Sequence, residues 1–296
     1  MIQDHIQELK TEKNAVILAH NYQPPEIQDV ADAIGDSLEL AIRAKEATED
    51  IIVFCGVEFM AETAKILNPD KKVLMPVREA GCPLADHLTP QMITEAKAAH
   101  PGAAVVVYVN STAECKALAD IACTSANAAK VVKSLPNREV IFGPDANLAY
   151  YVQKQVPDKQ IIPLPETGHC YVHNTFTVQD VMDGREKGSM VICHPECPPE
   201  VQREADIVGS TGAMVREAGR SDCWTLLTEK DMAYRLRTLF PEKKFFVKDS
   251  AVCTDMKKIT LHELEHALEA EVYEITLPED VMKRARNAIE RMIAIR

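Results

Sequence analysis

Short apolar runs rich in β-branched residues alternate along the chain with longer stretches whose apolar positions recur at helical spacing. The runs fall into three sets of three. They are AVILAHN, IIVFCG and KKVLMPV, then AAVVVYVN, EVIFGP and KQIIPLP, and finally SMVICHPE, WTLLT and KKFFVK. Alternation of this kind is typical of right-handed βαβ units. The pattern therefore predicts an α/β fold with small parallel sheets that are covered by helices on both faces.

The three sets belong to an internal repeat. The segment HNYQPPEIQDVADAIGDS, from His20, aligns without a gap with HPECPPEVQREADIVGST, from His194, and a weaker copy, YVNSTAECKALADIACTS, begins at Tyr108. A sequence repeat indicates equivalent structural units. We therefore expect three-layer α/β/α modules over residues 1–90, 91–177 and 178–296, packed around a pseudo-threefold axis. The alternative is an extended solenoid, in which equivalent positions would not meet.

A polar triplet follows the first predicted strand of each module. The triplets are His20-Asn21-Tyr22, Tyr108-Val109-Asn110 and His194-Pro195-Glu196. Open parallel sheets bind ligands beyond the carboxyl ends of their strands. Modules packed around a common axis would bring the triplets together, so we expect an active site at the common interface of the three modules.

Composition narrows the range of functions. The formal net charge of -12 would repel a phosphate backbone, which argues against nucleic-acid binding. The sequence has no apolar stretch long enough for a signal peptide or a membrane span, so we expect a cytoplasmic protein that does not contact membranes. Nine cysteines in a cytoplasmic chain suggest metal or redox chemistry rather than disulfides.

Three of these cysteines, Cys82, Cys170 and Cys253, follow the third apolar run of their modules at equivalent positions, with Cys253 one residue early. Equivalent thiolates favour an iron-sulfur cluster, and a 4Fe-4S cube with three protein ligands has one open iron that can act as a Lewis acid. The alternative is that each cysteine is a small buried hydrophobic residue. We expect the other cysteines to fill the core, although Cys193 and Cys197 could form a separate metal clip.

Eight motifs spread over nearly the whole chain carry a family resemblance. They are LAHNYQPPEIQDVADAIGDS, YVNSTAECKALAD, TSANA, IFGPD, GHCYVH, HPECP, GSTGAM and AVCTDMKK. Together they strongly resemble the quinolinate synthase, or NadA, family. The resemblance implies a three-module fold with a central 4Fe-4S cluster bound by Cys82, Cys170 and Cys253. It also implies condensation of iminoaspartate with dihydroxyacetone phosphate to quinolinate, with loss of phosphate and two waters, and functional coupling to an enzyme that produces iminoaspartate.

The same resemblance implies roles for individual residues. Substrate contacts are implied for His20, Ser37, Tyr108, Asn110, Ser125, His194, Glu196 and Thr211. Acid–base work is implied for Tyr22 and Glu196, and Tyr108 and His194 are suitably placed to take part. Arg220 resembles a basic substrate-binding position in the family.

A repeated hydroxyl position could bind anions. Ser37, Ser125 and Thr211, with Ser210 beside it, stand where helical stretches restart. Hydroxyl and free N–H groups at a helix start favour carboxylates and phosphates, but ordinary N-capping explains the same pattern. We expect binding, because all three repeats share the position.

Several alternatives remain open at this stage. The string HELEH at residues 262–266 matches a zinc-protease pattern, although a capping box and a leucine stripe explain it as an ordinary helix. His173 is either a partner of the cluster or a core histidine. No dinucleotide or nucleotide motif is present. The rival functions are another 4Fe-4S hydro-lyase, acting on a hydroxy acid, and an iron-sulfur redox sensor.

Overall fold

Three four-stranded parallel sheets form the framework of the computed structural model, which describes residues 1–295. The first sheet contains β1 (Ala15–His20), β2 (Ala33–Gly35), β3 (Ile51–Cys55) and β4 (Lys72–Leu74). The second contains β5 (Ala104–Tyr108), β6 (Ile121–Cys123), β7 (Glu139–Gly143) and β8 (Gln160–Pro163), and the third contains β9 (Met190–Cys193), β10 (Ile207–Val208), β11 (Cys223–Leu227) and β12 (Lys244–Phe246). The α/β class and the small parallel sheets are therefore confirmed.

Helices connect the strands. They are α1 (Ile2–Glu12), α2 (Pro25–Val30), α3 (Ser37–Glu46), α4 (Glu58–Leu67), α5 (Pro83–Asp86), α6 (Pro90–Ala99), α7 (Ala113–Lys116), α8 (Ala128–Ser134), α9 (Ala146–Gln155), α10 (Val178–Glu186), α11 (Pro199–Glu204), α12 (Thr211–Glu217), α13 (Met232–Leu239), α14 (Leu261–Ala270) and α15 (Glu279–Ile293). Short 3-10 turns cover His173–Thr175, Ala218–Arg220 and Met256–Lys258.

The strand order is the same in each sheet: β2-β1-β3-β4, β6-β5-β7-β8 and β10-β9-β11-β12. The edge strands β2, β6 and β10 are additions to the three runs per module that the sequence predicts. Each has only two or three residues. So short a stretch shows no recognisable alternation of apolar and polar positions.

The Ala-Asp pair of the repeat has a structural explanation. Each aspartate lies just before its edge strand and accepts a hydrogen bond from a backbone N–H of the first strand. The bonds join Asp32 to Ile17 N, Asp120 to Val105 N and Asp206 to Val191 N, and each is 2.8 Å long. The aspartates thus fix the path between the first and second strands of each sheet.

The last two helices follow the third sheet in sequence, but their main contacts are with elements of the first two predicted modules. Helix α14 packs against α1, and α15 packs against β6 and α7. Asn127 Nδ2 donates to the carbonyl oxygens of Met292 and Ile295, which fastens the end of α15 to the second sheet. The predicted range 178–296 therefore includes helices that contact the first and second sheets, and the module ranges stay predictions.

Candidate active site

One large cavity opens among the loops that follow the strands of the three sheets. It has roughly 750 Å³ of empty space, including the open solvent at its mouth. Its walls include every predicted site residue except Ser210 and Arg220. These are His20, Tyr22, Ser37, Cys82, Tyr108, Asn110, Ser125, Cys170, His194, Glu196, Thr211 and Cys253. Residues that are remote in sequence are therefore brought together at one place.

The three predicted thiol ligands line this cavity on separate loops. Cys82 is the N-cap residue of α5, and Cys170 and Cys253 each precede a 3-10 turn. All three are half-buried and free of disulfide bonds. Two of the loops are fastened alike, because Cys170 N donates to Asp145 Oδ2 at 3.2 Å and Cys253 N donates to Glu229 Oε1 at 3.4 Å. Buried carboxylates thus set the position of two of the three cysteines.

The chemistry of these thiols fits a metal group of positive charge. Burial raises the pKa of Cys82, Cys170 and Cys253, and the neighbouring thiols raise the pKa of Cys82 and Cys170 further. Without a cation, the thiols would therefore stay protonated at neutral pH. A metal that binds thiolates would displace these protons, and three thiols that line one cavity are the ligand type that soft metals prefer.

A chain of hydrogen bonds and close contacts crosses the cavity floor from Tyr108 to Tyr22. Tyr108 OH donates to Glu196 Oε1 at 2.6 Å, and Glu196 Oε2 lies 2.6 Å from His173 Nδ1. His173 Nε2 lies 2.9 Å from the Thr228 hydroxyl, which is 2.6 Å from Tyr22 OH. The chain links two phenols, a carboxylate and an imidazole, which are the groups that general acid–base chemistry uses.

The electrostatics keep the carboxylate charged and the phenols protonated. Burial opposes ionisation of Glu196, but the His194 and His173 rings and the bond from Tyr108 outweigh burial and lower its pKa to about 2. Burial and the Glu196 charge raise the pKa of both Tyr22 and Tyr108. At neutral pH, Glu196 is therefore an acceptor and the two phenols are donors.

The two repeat-related histidines, His20 and His194, are neutral donors. His20 Nδ1 accepts the Tyr22 backbone N–H at 3.2 Å, and His194 Nδ1 accepts the Glu196 backbone N–H at 3.3 Å. Each ring proton must then sit on Nε2, and in His194 this atom lies 3.2 Å from Ser125 Oγ. Burial lowers the pKa of both rings to about 3.

Of the hydroxyl residues that the repeat brings to the helix starts, only Ser210 caps its helix. Ser37 and Thr211 are the first residues of α3 and α12, but the capping side chains are Asp36 and Ser210. The hydroxyls of Ser37 and Thr211 therefore do not cap their helices, and both residues line the cavity. Asn110 Oδ1, also in the wall, is buried and has no hydrogen-bond partner among the described residues. The hydroxyls are suited to a polar or anionic ligand, whereas Asn110 Oδ1 is a hydrogen-bond acceptor and is suited to a donor group on the ligand.

Two predicted residues do not reach the cavity wall. Ser210 is buried and caps α12 by accepting Ala213 N at 3.2 Å. The side chain of Arg220 is 60% exposed and donates to Glu217 at 2.8 Å. Arg220 lies in a 3-10 turn at the end of α12, so proximity in sequence to GSTGAM did not bring it to the site.

The sequence prediction missed three residues of the site. Thr228 joins Tyr22 to His173, and its hydroxyl is fully buried. Asp145 and Glu229 hold two of the cysteine loops, and each lies two residues beyond its strand, β7 or β11. Counting from the ends of the apolar runs EVIFG and CWTLL would have shown this shared position of the acidic residues, whereas nothing in the pattern marked Thr228.

Other possible metal ligands were also compared with this site. Among residues 1–295, the ligand atoms of Cys170, His173 and Glu196 lie within 4.8 Å of one another, so they could hold a single ion. Cys193 and Cys197 are buried among apolar residues, as expected for core cysteines. The cavity therefore offers both a three-thiol set and a mixed set that shares Cys170.

The HELEH string lies on the surface of α14. His262 and His266 are exposed, whereas Leu264 and Leu268 are buried, as the leucine stripe predicts. His262 Nδ1 is 3.9 Å from Glu265, and no third ligand joins the two histidines among the metal-binding groups of the described chain. This segment is a packing helix. Nor does any helix within residues 1–295 have the length and apolar character needed to cross a membrane.

The sheets and the cavity define an α/β protein whose cavity combines three thiols, which could hold a metal, with linked titratable side chains. Comparison with known proteins agrees. A profile of the family described as Quinolinate synthetase A protein matches residues 4–294. Quinolinate synthase from Pyrococcus horikoshii is 55% identical over 293 residues, 98% of this chain and 97% of that protein. The quinolinate synthases of Methanocaldococcus jannaschii and Thermotoga maritima are 52% and 50% identical, each over 99% of both chains.

The chain therefore belongs to the quinolinate synthetase A family and is an enzyme of that type. The resemblance of its motifs to this family is confirmed over nearly its full length.

Proposed function

We propose that this enzyme condenses iminoaspartate with dihydroxyacetone phosphate to form quinolinate, with loss of phosphate and two waters. The support is the family membership, together with a cavity that combines thiols, linked acid–base groups and neutral donors. Both substrates are small anions, which suits a pocket with hydroxyl and amide groups in its wall. An enzyme that produces iminoaspartate is the expected functional partner.

The three sheets are proposed to be related by a pseudo-threefold axis, with the cavity at their common interface. The identical strand orders and the three equivalent aspartate bonds support this arrangement. The modules are proposed to span residues 1–90, 91–177 and 178–296. The last two helices of the third module would pack against the first two modules.

Cys82, Cys170 and Cys253 are proposed to hold one 4Fe-4S cluster. Their convergence on one cavity supports this choice over the mixed set, because three thiols match the ligands that cubane clusters take. When bound, such a cluster would supply an open iron that polarises a substrate hydroxyl or carboxylate. The other steps fall to side chains of this chain.

Substrate anions are proposed to bind to the hydroxyls of Ser37, Ser125 and Thr211 and to Asn110. The Nε2–H groups of His20 and His194 would add neutral donors, which can orient a carboxylate without giving up a proton. This set lines a partly enclosed pocket, so binding also excludes water from the reacting atoms.

Acid–base work is proposed for Glu196 and Tyr22, with Tyr108 and His194 in support. Glu196 is ionised at neutral pH because its pKa is low, and Tyr108 fixes its position, so it would be available to accept a proton from substrate carbon or nitrogen. Tyr22 would donate a proton to a leaving oxygen. His173 lies between Glu196 and Thr228, and Thr228 contacts Tyr22, so these two residues would fix the proposed base and the proposed acid relative to each other.

The test is product formation by the anaerobically reconstituted protein. Iminoaspartate would be generated in the mixture, because it is unstable, and pyridine-2,3-dicarboxylate would be measured by mass spectrometry. We expect product with both substrates and none when either is omitted. Dehydration of a hydroxy acid without dihydroxyacetone phosphate would favour another 4Fe-4S hydro-lyase, and redox cycling without any product would favour a sensor.

A further inference from the structure

One repeat position carries side chains that tie together the loops around the cavity. Gln28 and Gln202 occupy this position in the first and third repeats, and Lys116 occupies it in the second. Gln28 Nε2 donates to Gln23 O in its own loop at 2.9 Å and to Asp231 O, beyond β11, at 3.3 Å. Gln28 therefore links the first sheet's loop to the third sheet.

Gln202 makes the equivalent link between the third and second sheets. Its Nε2 donates to Cys197 O in its own loop at 2.8 Å and to Asn147 O, beyond β7, at 3.0 Å. Asn147 and Asp231 each lie four residues past the end of their strand. The two glutamines thus use one side-chain amide in the same way, at two different boundaries.

Lys116 stands at the remaining boundary, between the second and first sheets. It is fully buried, and its Nζ donates to Ser111 O in its own loop. The same nitrogen lies 5.5 Å from the ring centroid of Phe59, which is four residues past β3 and so corresponds to Asp231 and Asn147. The three links therefore close a ring around the cavity.

The charge of Lys116 is balanced from the first sheet's side. Burial lowers the pKa of Lys116 to about 8, and the charge of Glu62 on α4 acts in the opposite direction. Glu62 Oε2 also accepts Ala113 N at 3.0 Å, where α7 begins. Gln28 and Gln202 make the equivalent links with uncharged side chains. The feature that all three links share is therefore a hydrogen bond donated to a carbonyl oxygen of the residue's own loop.

We propose that Lys116 is a positioning residue that holds the loop from Tyr108 to Ser111 against Phe59 and so shapes the cavity wall that receives substrate. Tyr108, Asn110 and Phe59 line the cavity, whereas Lys116 lies behind them. The kinetic part of this inference rests on the proposed function. The structural part, in which Lys116 holds the loop in place, is independent of the proposed function.

Three variants separate positioning from charge. Lys116→Met removes both the donor and the charge. The double variant Lys116→Gln/Glu62→Gln restores the amide that the other two repeats use and removes both charges. Lys97→Met is the matched control, because Lys97 Nζ donates to Leu118 O at 3.0 Å on the exposed surface of the same predicted module.

The measurements are hydrogen–deuterium exchange of the amides at 109–112 in the metal-free proteins and steady-state kinetics of the reconstituted ones. For Lys116→Met we expect exchange and KM to rise about tenfold, the effect of one lost buried hydrogen bond, with a smaller change in kcat. The double variant and Lys97→Met should match wild type in both measurements.

Wild-type exchange and KM in folded Lys116→Met would overturn the proposal. So would a folded double variant as impaired as Lys116→Met, because that result would make the charge essential. If Lys116→Met does not fold, the double variant alone tests the proposal. Exchange and KM like those of the wild type would then support the proposal, and raised exchange and KM would contradict it. If wild type makes no quinolinate, the proposed function fails, but the exchange data still test the hold on the loop.

Discussion

The Tyr108 hydroxyl donates a 2.6 Å hydrogen bond to Glu196 Oε1, and this bond joins the end of β5 to the loop after β9. Glu196 also contacts His173 at 2.6 Å, so one buried carboxylate gathers groups from two loops and a 3-10 turn. A buried carboxylate with several fixed donors is costly to desolvate but held in one position. That combination suits a proton acceptor at the floor of a substrate cavity.

Glu196→Gln should keep the fold and the metal but lower kcat by about 100-fold or more, because the amide cannot take up a proton. Steady-state kinetics of the reconstituted variant test this. Glu200→Gln is the control, since Glu200 is exposed on the neighbouring helix α11. Equal rates for the two variants would remove Glu196 from acid–base work.

Tyr22→Phe should also lower kcat by about 100-fold while retaining the metal, because the phenol is the proposed proton donor. The comparison with wild type needs matched iron content. A Tyr22→Phe enzyme that turns over at the wild-type rate would contradict the role of this phenol.

Thr228→Val should lower kcat by roughly tenfold, because it removes the hydroxyl that connects Tyr22 to His173 at little change in volume. Thr225→Val provides the control. Thr225 is a buried threonine on β11 whose hydroxyl pairs with Ser189 instead of reaching the cavity. If both valine variants lose kcat equally, packing in the third sheet explains the effect and the connection does not.

The sequence predicted the sheets and most of the cavity because both follow from the repeat. Strand ends such as His20 and His194 are equivalent positions, and parallel sheets bring such positions to one edge. The links between repeats were harder to predict. Thr228 and His173 meet Tyr22 through tertiary packing that no local pattern encodes, and Arg220 seemed close only along the sequence.

Cluster binding should fail when Cys82, Cys170 or Cys253 is changed to Ala, because each supplies one of three thiolates. Iron and sulfide analysis after anaerobic reconstitution would measure the loss. Cys197→Ala is the control, since that thiol is buried in the third module's core, and it should keep wild-type iron content. Iron retained in the three variants but lost from Cys197→Ala would reverse the assignment.

The free energy of unfolding of the metal-free protein should depend on pH in part through His20. Its pKa is about 3 when folded and ordinarily 6.5. Between these values the unfolded chain binds a proton that the folded chain does not, so this residue lowers the free energy of unfolding as pH falls through that window. Glu62, whose pKa burial raises to about 7, acts in the opposite direction, so the test must be a difference between proteins.

Urea unfolding of wild type and His20→Asn would therefore be compared at two pH values, near neutral and about two units lower. We expect the wild type to lose more unfolding free energy than the variant on acidification. Equal losses would show that His20 is not held neutral in the folded state.

The most direct measurement is a crystal structure of the anaerobically reconstituted protein with bound pyridine-2,3-dicarboxylate, recorded with anomalous scattering from iron. We predict one four-iron cluster bonded to the Sγ atoms of Cys82, Cys170 and Cys253, and the dicarboxylate beside it within reach of Ser37, Ser125 and Thr211. Iron bound instead by Cys170, His173 and Glu196, or a dicarboxylate that binds outside this cavity, would contradict the proposed site.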